Sequence, residues 1–126
     1  MMGTAVADYV GIPYGFREAP GLDCYQLVTE VLAKVYSKRI PTYDYSGGWF
    51  DADVGFLEHR GDFKEVILPL PGDIVLLKIG RRPIHCGVVI GEKNMLHSLR
   101  GSNSCIERYD SVKWRNRIEG FYRWVS

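Results

Sequence analysis

The chain has 126 residues, the length of one ordinary domain, and we expect a single domain over residues 1–126. Hydrophobic residues make up 46% of it, which is enough to build a core and excludes an intrinsically disordered chain. The 16 basic and 15 acidic residues give a net charge of +1, which argues against binding to nucleic acid or to an acidic membrane surface.

Neither a secretion signal nor a membrane span is predicted. Residues 1–8 lack the basic segment and the long apolar run of a signal peptide. The apolar runs over 66–70 and 74–77 are far shorter than the ~20 residues that a spanning helix needs. We therefore expect a soluble protein that is made in the cytoplasm and is not inserted into a membrane.

We expect the three cysteines, Cys24, Cys86 and Cys105, to be free thiols rather than disulfide-bonded. An odd number of cysteines without a secretion signal argues against a disulfide framework. No two of them form a Cys-x-x-Cys pair, which argues against a structural zinc site. We expect neither a metal nor a cofactor.

The amino-terminal third predicts one long helix after shorter elements. These are a short helix over 4–10, a turn over 11–15 and a loop over 17–21. The long helix begins at Cys24, and its apolar residues recur at spacings of one, three and four as far as Tyr36. Asp23 is a good N-cap, and Gln26 three positions later completes a capping box.

The rest of the chain predicts a meandering sheet after a region, 42–62, with little pattern. In that region we expect a packed loop with Tyr43, Tyr45, Trp49 and Phe50, and a short helix over 51–60. Strands are predicted over 74–79, 85–90, 95–99, 104–109 and 118–125, with turns or loops over 71–73, 81–83 and 91–94. Helices followed by such strands predict an α+β domain, with amino-terminal helices packed on an antiparallel sheet.

Cys24 is the first candidate for chemistry because it follows the N-cap of the predicted helix. The unpaired N–H groups and the positive end of the helix dipole stabilise a thiolate and lower the pKa of a cysteine there. The same N–H groups can bind an oxyanion. The alternative is a small buried hydrophobic residue, since Cys24 shares the inward face with Leu27 and Val28.

His85 is the candidate base for this thiol. Side chains alternate along a strand, so His85 shares its face with Gly87, while Cys86 points to the other face and into the core. The missing side chain of Gly87 predicts open space beside the His85 ring. His59, in contrast, lies among charged residues and is expected at the surface.

The position of His97 depends on the turn that precedes it. A two-residue loop, Glu92-Lys93, places His97 opposite Val88 and away from His85. A three-residue loop, or a bulge with the same effect, places His97 opposite Gly87, with its Cα about 7–8 Å from that of His85. We predict the second register, because a thiol, a base and a group that orients the base form a general nucleophilic site.

Four segments in order resemble the NlpC family of papain-like cysteine peptidases. They are Leu22-Asp23-Cys24-Tyr25-Gln26-Leu27-Val28, Pro71-Gly72-Asp73-Ile74-Val75-Leu76, Ile84-His85-Cys86-Gly87-Val88-Val89-Ile90-Gly91 and Met95-Leu96-His97-Ser98. The resemblance covers roughly residues 5–125. It implies a papain-like fold, a Cys24, His85 and His97 catalytic site, and hydrolysis of the γ-D-glutamyl–diaminopimelate link in peptidoglycan stem peptides.

The resemblance also indicates which residues border the reaction. Tyr14 matches the family tyrosine that lines the oxyanion region, and we expect Asp23 and Tyr25 to line the oxyanion and substrate side of Cys24. Tyr25 and Gln26 replace the family's Ser-Gly pair, and a bulky Tyr25 is expected to narrow the cleft. Residues 42–62 are expected to shape substrate choice.

Residues 114–123 and the Cys-aromatic-x-Leu-Val helix resemble the phage tail-assembly branch of that family. This implies phage tail proteins as partners and delivery to the cell wall by the virion. Two alternatives stay open: a catalytically silent tail component whose site is blocked by Tyr25, and an amidase or acyltransferase that uses the same residues.

Overall fold

The computed structural model describes residues 4–15, 22–40, 60–99 and 101–125. Within them lie one α-helix, α1, Cys24–Lys34, two short 3-10 helices, Val6–Tyr9 and Arg60–Asp62, and six strands. The strands are β1, Lys64–Val66; β2, Ile74–Ile79; β3, Arg82–Gly91; β4, Asn94–His97; β5, Cys105–Arg108; and β6, Ile118–Arg123. No helix of these ranges has the length and apolar character needed to cross a membrane.

Several predicted features lie outside the described residues. They are the loop over 17–21, the aromatic residues Tyr43, Tyr45, Trp49 and Phe50, His59, and the helix over 51–60 apart from its last residue.

The six strands form one sheet in the order β1-β6-β2-β3-β4-β5, and every neighbouring pair is antiparallel. Helix α1 packs mainly on the central strand β3. The α+β class, with a helix on an antiparallel sheet, is therefore confirmed. The predicted helix over 4–10 is a 3-10 helix of four residues.

Helix α1 begins where its capping sequence predicts. Asp23 Oδ1 accepts a hydrogen bond from the Gln26 backbone N–H at 2.7 Å, and Gln26 Oε1 accepts one from the Asp23 N–H at 3.0 Å. The helix ends at Lys34, two residues before the end of the predicted apolar stripe. There the chain turns away through Ser37, whose φ of 56° is incompatible with a continuing helix.

The two faces of the sheet are covered by different parts of the chain. The face toward α1 carries Ile74, Leu76, Cys86, Val88 and Leu96. The opposite face carries Val75, Leu77, Val89 and Met95, and it packs against Tyr109 and Trp114 from the connection between β5 and β6. Because side chains alternate along β3, the burial of Cys86 toward α1 directs His85 to the face covered by Trp114.

The predicted loop over Arg81–Pro83 is wrong, because β3 begins earlier, at Arg82. Ile79 pairs with Arg82, so only Gly80 and Arg81 connect β2 to β3. Gly80 has a φ of 64°, a conformation that glycine adopts without strain and that two-residue hairpin turns require. The glycine thus allows a two-residue turn, and β3 begins three residues earlier than predicted, while β2 keeps its predicted bounds.

The predicted register of His97 is confirmed, and a bulge produces it. The turn between β3 and β4 has two residues, Glu92 and Lys93, because Gly91 pairs with Asn94. A register shift between Val89 and Gly91 then moves the pairing by one residue. His97 consequently lies opposite Gly87 and on the same face of the sheet as His85.

We expect Asp23→Ala to lower the free energy of unfolding by about 1 kcal/mol, because it removes the oxygen that caps α1. Asp23→Asn is the matched control, since an asparagine oxygen accepts the same hydrogen bond. Urea denaturation followed by circular dichroism measures both variants. Equal stability of Asp23→Ala and the wild type would show that the cap does not stabilise this helix.

Candidate active site

His85 and His97 form a hydrogen-bonded pair in the interior of the protein. The distance from His85 Nε2 to His97 Nδ1 is 2.9 Å, and the two ring centroids lie 5.1 Å apart. Their exposed fractions are 2% and 1%, respectively. The two predicted histidines are thus together, and each uses one ring nitrogen to contact the other.

Glu107 extends this pair and is a residue that the sequence analysis missed. Its Oε1 atom lies 2.7 Å from His97 Nε2. Strand β5 pairs with β4 so that His97 lies opposite Cys105, which places Glu107 two residues further along the same face. The predicted strand over 104–109 contained this signal, but its register with β4 was not predicted.

The carboxylate of Glu107, at the end of the hydrogen-bonded series, determines which atom donates and which accepts in each hydrogen bond of that series. Burial alone would raise the pKa of Glu107, but the hydrogen bond from His97, the charge of His97 when that ring is protonated and the charge of Lys113 hold it below its ordinary value. Glu107 is therefore ionised at neutral pH and can only accept, so His97 Nε2 must carry a proton. Neutral His97 then accepts at Nδ1 from His85 Nε2–H, and His85 Nδ1 keeps its lone pair.

Both histidines are held in the neutral form. Burial lowers the pKa of His85 well below 6.5, and repulsion from the charge of Lys113, and from His97 whenever that ring is protonated, lowers it further. Burial also lowers the pKa of His97, although the hydrogen bond and charge of Glu107 partly oppose the effect. The lowered pKa keeps His85 unprotonated at neutral pH, so one of its ring nitrogens has a lone pair that can accept a proton.

Trp114 encloses the pair on the side away from α1. Its ring stacks on that of His85 at 5.9 Å between centroids and meets the His97 ring edge-on at 5.3 Å. Trp114 is completely buried, and it comes from the connection between β5 and β6. It therefore shields the hydrogen bond between the histidines from water and contributes to the burial that lowers their pKa values.

Cys24 lies at the first position of α1, against the strand that carries His85. Its Sγ atom is 3.9 Å from Sγ of Cys86, the residue that follows His85, and both groups are thiols. Cys24 is 1% exposed, and Cys86 is buried beside it as predicted. The structure thus brings the helix-start thiol to β3, while the two histidines and Glu107 form the hydrogen-bonded part of the site.

The space beside His85 is filled, which corrects the expectation drawn from Gly87. A Cβ atom added at Gly87 would lie 3.0 Å from His97 Cβ and 3.0 Å from the carbonyl oxygen of Leu96. Both contacts are closer than Cβ atoms normally make. The glycine is required because strand β4 approaches closely there, and this approach brings His97 within hydrogen-bonding distance of His85.

Tyr14 lies on a segment that borders the start of α1. The preceding residue, Pro13, accepts a hydrogen bond from the Leu22 N–H at 3.1 Å, two residues before Cys24. Pro13 also forms a bridge with Asn103, just before β5. The half-buried Tyr14 is therefore held between the first turn of α1 and the part of the sheet that carries His97 and Glu107.

Asp23 and Tyr25, which flank Cys24, contribute to the structure of the helix and the core rather than to the surface of a cleft. Asp23 is completely buried and caps α1, as described above. Tyr25 is 1% exposed and belongs to the core, so the expectation that it lines and narrows a cleft is wrong. The helical repeat explains this, because Tyr25 lies three and seven positions before Val28 and Leu32, which are buried on the same stripe.

Known proteins share both the sequence pattern and the fold. The model of the NlpC/P60 family matches residues 11–123. Among curated proteins, Murein DD-endopeptidase MepS/Murein LD-carboxypeptidase of Escherichia coli strain K12 is 24% identical over 122 residues. That alignment covers 95% of this chain and 60% of the relative, so the chain spans less than two thirds of that protein.

Solved structures show the same fold at low sequence identity. The peptidoglycan hydrolase RipB of Mycobacterium tuberculosis has a TM-score of 0.61 and 17% identity, with 95% of this chain and 61% of that one covered. The NlpC/p60 domain of peptidoglycan hydrolase SagA has a TM-score of 0.60 and 17% identity, with 92% and 90% covered. NlpC2 of Trichomonas vaginalis has a TM-score of 0.67 and 15% identity, with 96% and 44% covered.

The family model spans nearly all of the chain, including α1 and the strands that carry His85, His97 and Glu107. The chain therefore belongs to the NlpC/P60 family.

Proposed function

We propose that the protein is a cysteine peptidase that hydrolyses an amide bond in the stem peptides of peptidoglycan. The observation that carries the proposal is the hydrogen-bonded series His85–His97–Glu107, in which both histidines are buried and the free ring nitrogen of His85 has a lone pair. The thiol of Cys24, at the start of α1, lies against the same strand. The family and the murein endopeptidase relative support the substrate class.

The proposed reaction begins with transfer of the Cys24 proton to His85 Nδ1. The thiolate attacks the carbonyl carbon of the scissile amide, and the backbone N–H of Cys24 and the hydroxyl of Tyr14 stabilise the oxyanion. His85 then gives its proton to the leaving amine, and an acyl-enzyme forms. Water, deprotonated by His85, hydrolyses the thioester and regenerates the thiol.

His97 and Glu107 have positioning roles in this mechanism. Their hydrogen bonds hold the proton of neutral His85 on Nε2, which leaves Nδ1 available for the thiol. When His85 becomes protonated during the reaction, the negative charge of Glu107, relayed through His97, stabilises the imidazolium. No step of this mechanism requires a metal or a cofactor.

The bond that we propose is the γ-D-glutamyl–diaminopimelate link, on the basis of the motif resemblance. The Escherichia coli relative is instead named as a murein DD-endopeptidase and LD-carboxypeptidase. Association with a phage tail rests on the resemblance of residues 114–123 and stays a prediction. Trp114, the first residue of that segment, packs on the rings of both histidines, and this contact explains the tryptophan without reference to a phage tail.

Neither alternative function is favoured by a specific contact. The silent tail component required Tyr25 to block the site, and the burial of Tyr25 in the core removes the basis for that reading. An amidase or acyltransferase would use the same residues, and analysis of the products distinguishes it from a peptidase.

We expect the wild type to cleave a diaminopimelate-containing stem tetrapeptide between D-glutamate and diaminopimelate, and Cys24→Ala to be inactive. Cys86→Ala is the matched control, because it removes the thiol 3.9 Å away and leaves the nucleophile in place. Mass spectrometry of the products measures all three proteins, and a cross-linked muropeptide tests the D,D bond in parallel. Turnover by Cys24→Ala near the wild-type rate would overturn the proposed nucleophile.

Gly87→Ala should lower activity by at least about tenfold, because its Cβ would displace His97 and weaken the hydrogen bond to His85. Gly91→Ala is the matched control on the same strand, since an added Cβ there meets no atom within 4 Å. Turnover of the tetrapeptide and the NMR signals of the imidazole protons report the two effects separately. Wild-type activity in Gly87→Ala would remove the close approach of β4 from the mechanism.

Glu107→Gln should reduce kcat by at least about tenfold, because a glutamine can donate as well as accept and no longer determines the tautomer of His97. Glu107→Asp keeps the charge and should retain more of the activity. A pH profile provides a readout that a merely structural role would not change, since the loss of the Glu107 charge lowers the pKa of His97. An unchanged rate and profile would exclude Glu107 from the site.

A further inference from the structure

We propose that His97, Cys105 and Glu107 form a binding site for a zinc-type divalent cation, and that the cation inactivates the enzyme by reversing the tautomers of both histidines. The binding site rests on the geometry of these three residues. The inactivation rests, in addition, on the proposed function.

Three different donor atoms converge at this point on the sheet. Cys105 Sγ lies 3.9 Å from His97 Nε2 and 3.8 Å from Glu107 Oε1, and the nitrogen and the oxygen are 2.7 Å apart. Zinc binds such atoms at about 2.0–2.3 Å in a tetrahedral arrangement, which separates the ligand atoms by about 3.3–3.7 Å. The two distances to sulfur are close to that range, and only the nitrogen and oxygen must separate, by about half an ångström.

The strands hold the three residues in place before a cation binds. His97 is directly opposite Cys105 in the β4–β5 pairing, and Cys105 and Glu107 alternate onto one face of β5. His97 is buried, but Cys105 is half-buried and the Glu107 side chain is 32% exposed. The site is therefore rigid on the histidine side and accessible to a cation on the side of β5.

The chemistry of the donors selects the cation. A thiolate and an imidazole favour zinc and its transition-metal neighbours over calcium and magnesium, which prefer oxygen ligands. The second ring nitrogen of His97 is hydrogen-bonded to His85, as is usual for a histidine that binds a metal through the first. The positive charge of Lys113 acts on all three donors and opposes the cation.

A bound cation would reverse the series of hydrogen bonds described above. Coordination at His97 Nε2 requires the lone pair of that atom, so neutral His97 carries its proton on Nδ1 and donates it to His85 Nε2. Neutral His85 then carries its proton on Nδ1 and can no longer accept the proton of Cys24. Each histidine keeps one proton, and the single proton released to solvent comes from the Cys105 thiol.

Cobalt(II) is the probe for the binding site, because a thiolate ligand produces an intense sulfur-to-cobalt absorption band. We expect this band, at one cobalt per chain, in the wild type and in Cys24→Ala, and its loss in Cys105→Ala. Absence of the band in the wild type, or its persistence in Cys105→Ala, overturns the site. This measurement needs no catalytic activity, so its outcome is independent of whether the proposed function holds.

Zinc inhibition of tetrapeptide cleavage tests the tautomer reversal. The wild type should be inhibited reversibly, with recovery after chelation by EDTA, whereas Cys105→Ala should retain basal activity and require at least about tenfold more zinc. Lys113→Met should require less zinc, because it removes the opposing charge. Equal zinc sensitivity in Cys105→Ala and the wild type overturns this mechanism, because inhibition would then arise elsewhere, for example at Cys24.

Discussion

The hydrogen bond between His97 and the carboxylate of Glu107 is the constraint on which the arrangement of the site depends. An ionised carboxylate has no proton to donate, so one acceptor at the end of the series determines where the proton of each neutral histidine resides. The lone pair of His85 Nδ1 is a consequence of this order. Without Glu107, either histidine could donate the hydrogen bond that joins His85 Nε2 to His97 Nδ1, and nothing in that bond would favour one direction over the other.

The sheet and the tryptophan that covers one of its faces produce the geometry of this hydrogen-bonded series. The bulge in β3 sets His97 opposite Gly87, and the missing side chain there allows the two strands to approach. Trp114 then closes the site from the second face. Burial normally destabilises a polar pair, but here the hydrogen bonds satisfy three of the four ring nitrogens and keep both rings in a defined orientation.

Local sequence patterns predicted the elements that depend on near neighbours. The Asp23 cap and the start of α1 follow from residues three positions apart. The register of His97 follows from the two-residue turn combined with the bulge in β3, the alternative that the sequence analysis had included. Glu107 was not found because a connection of seven residues separates β4 from β5, and no local rule determines the register across it. Tyr25 was predicted to lie at the cleft because it replaces a small residue of the family motif, whereas the helical repeat directs its side chain into the core.

The requirement for an acceptor at the end of the series also accounts for the partial exposure of Glu107, on which the proposed cation site depends. A fully buried carboxylate without a full set of hydrogen bonds would be protonated and would lose its function as an obligate acceptor, so Glu107 remains partly exposed. Partial exposure places a carboxylate and the neighbouring Cys105 thiol within reach of solvent, beside a histidine nitrogen that is already held in position. In the proposed mechanism, the hydrogen-bonded series that positions His85 for the thiol would therefore also be the route by which a cation bound at Glu107 changes the protonation of His85.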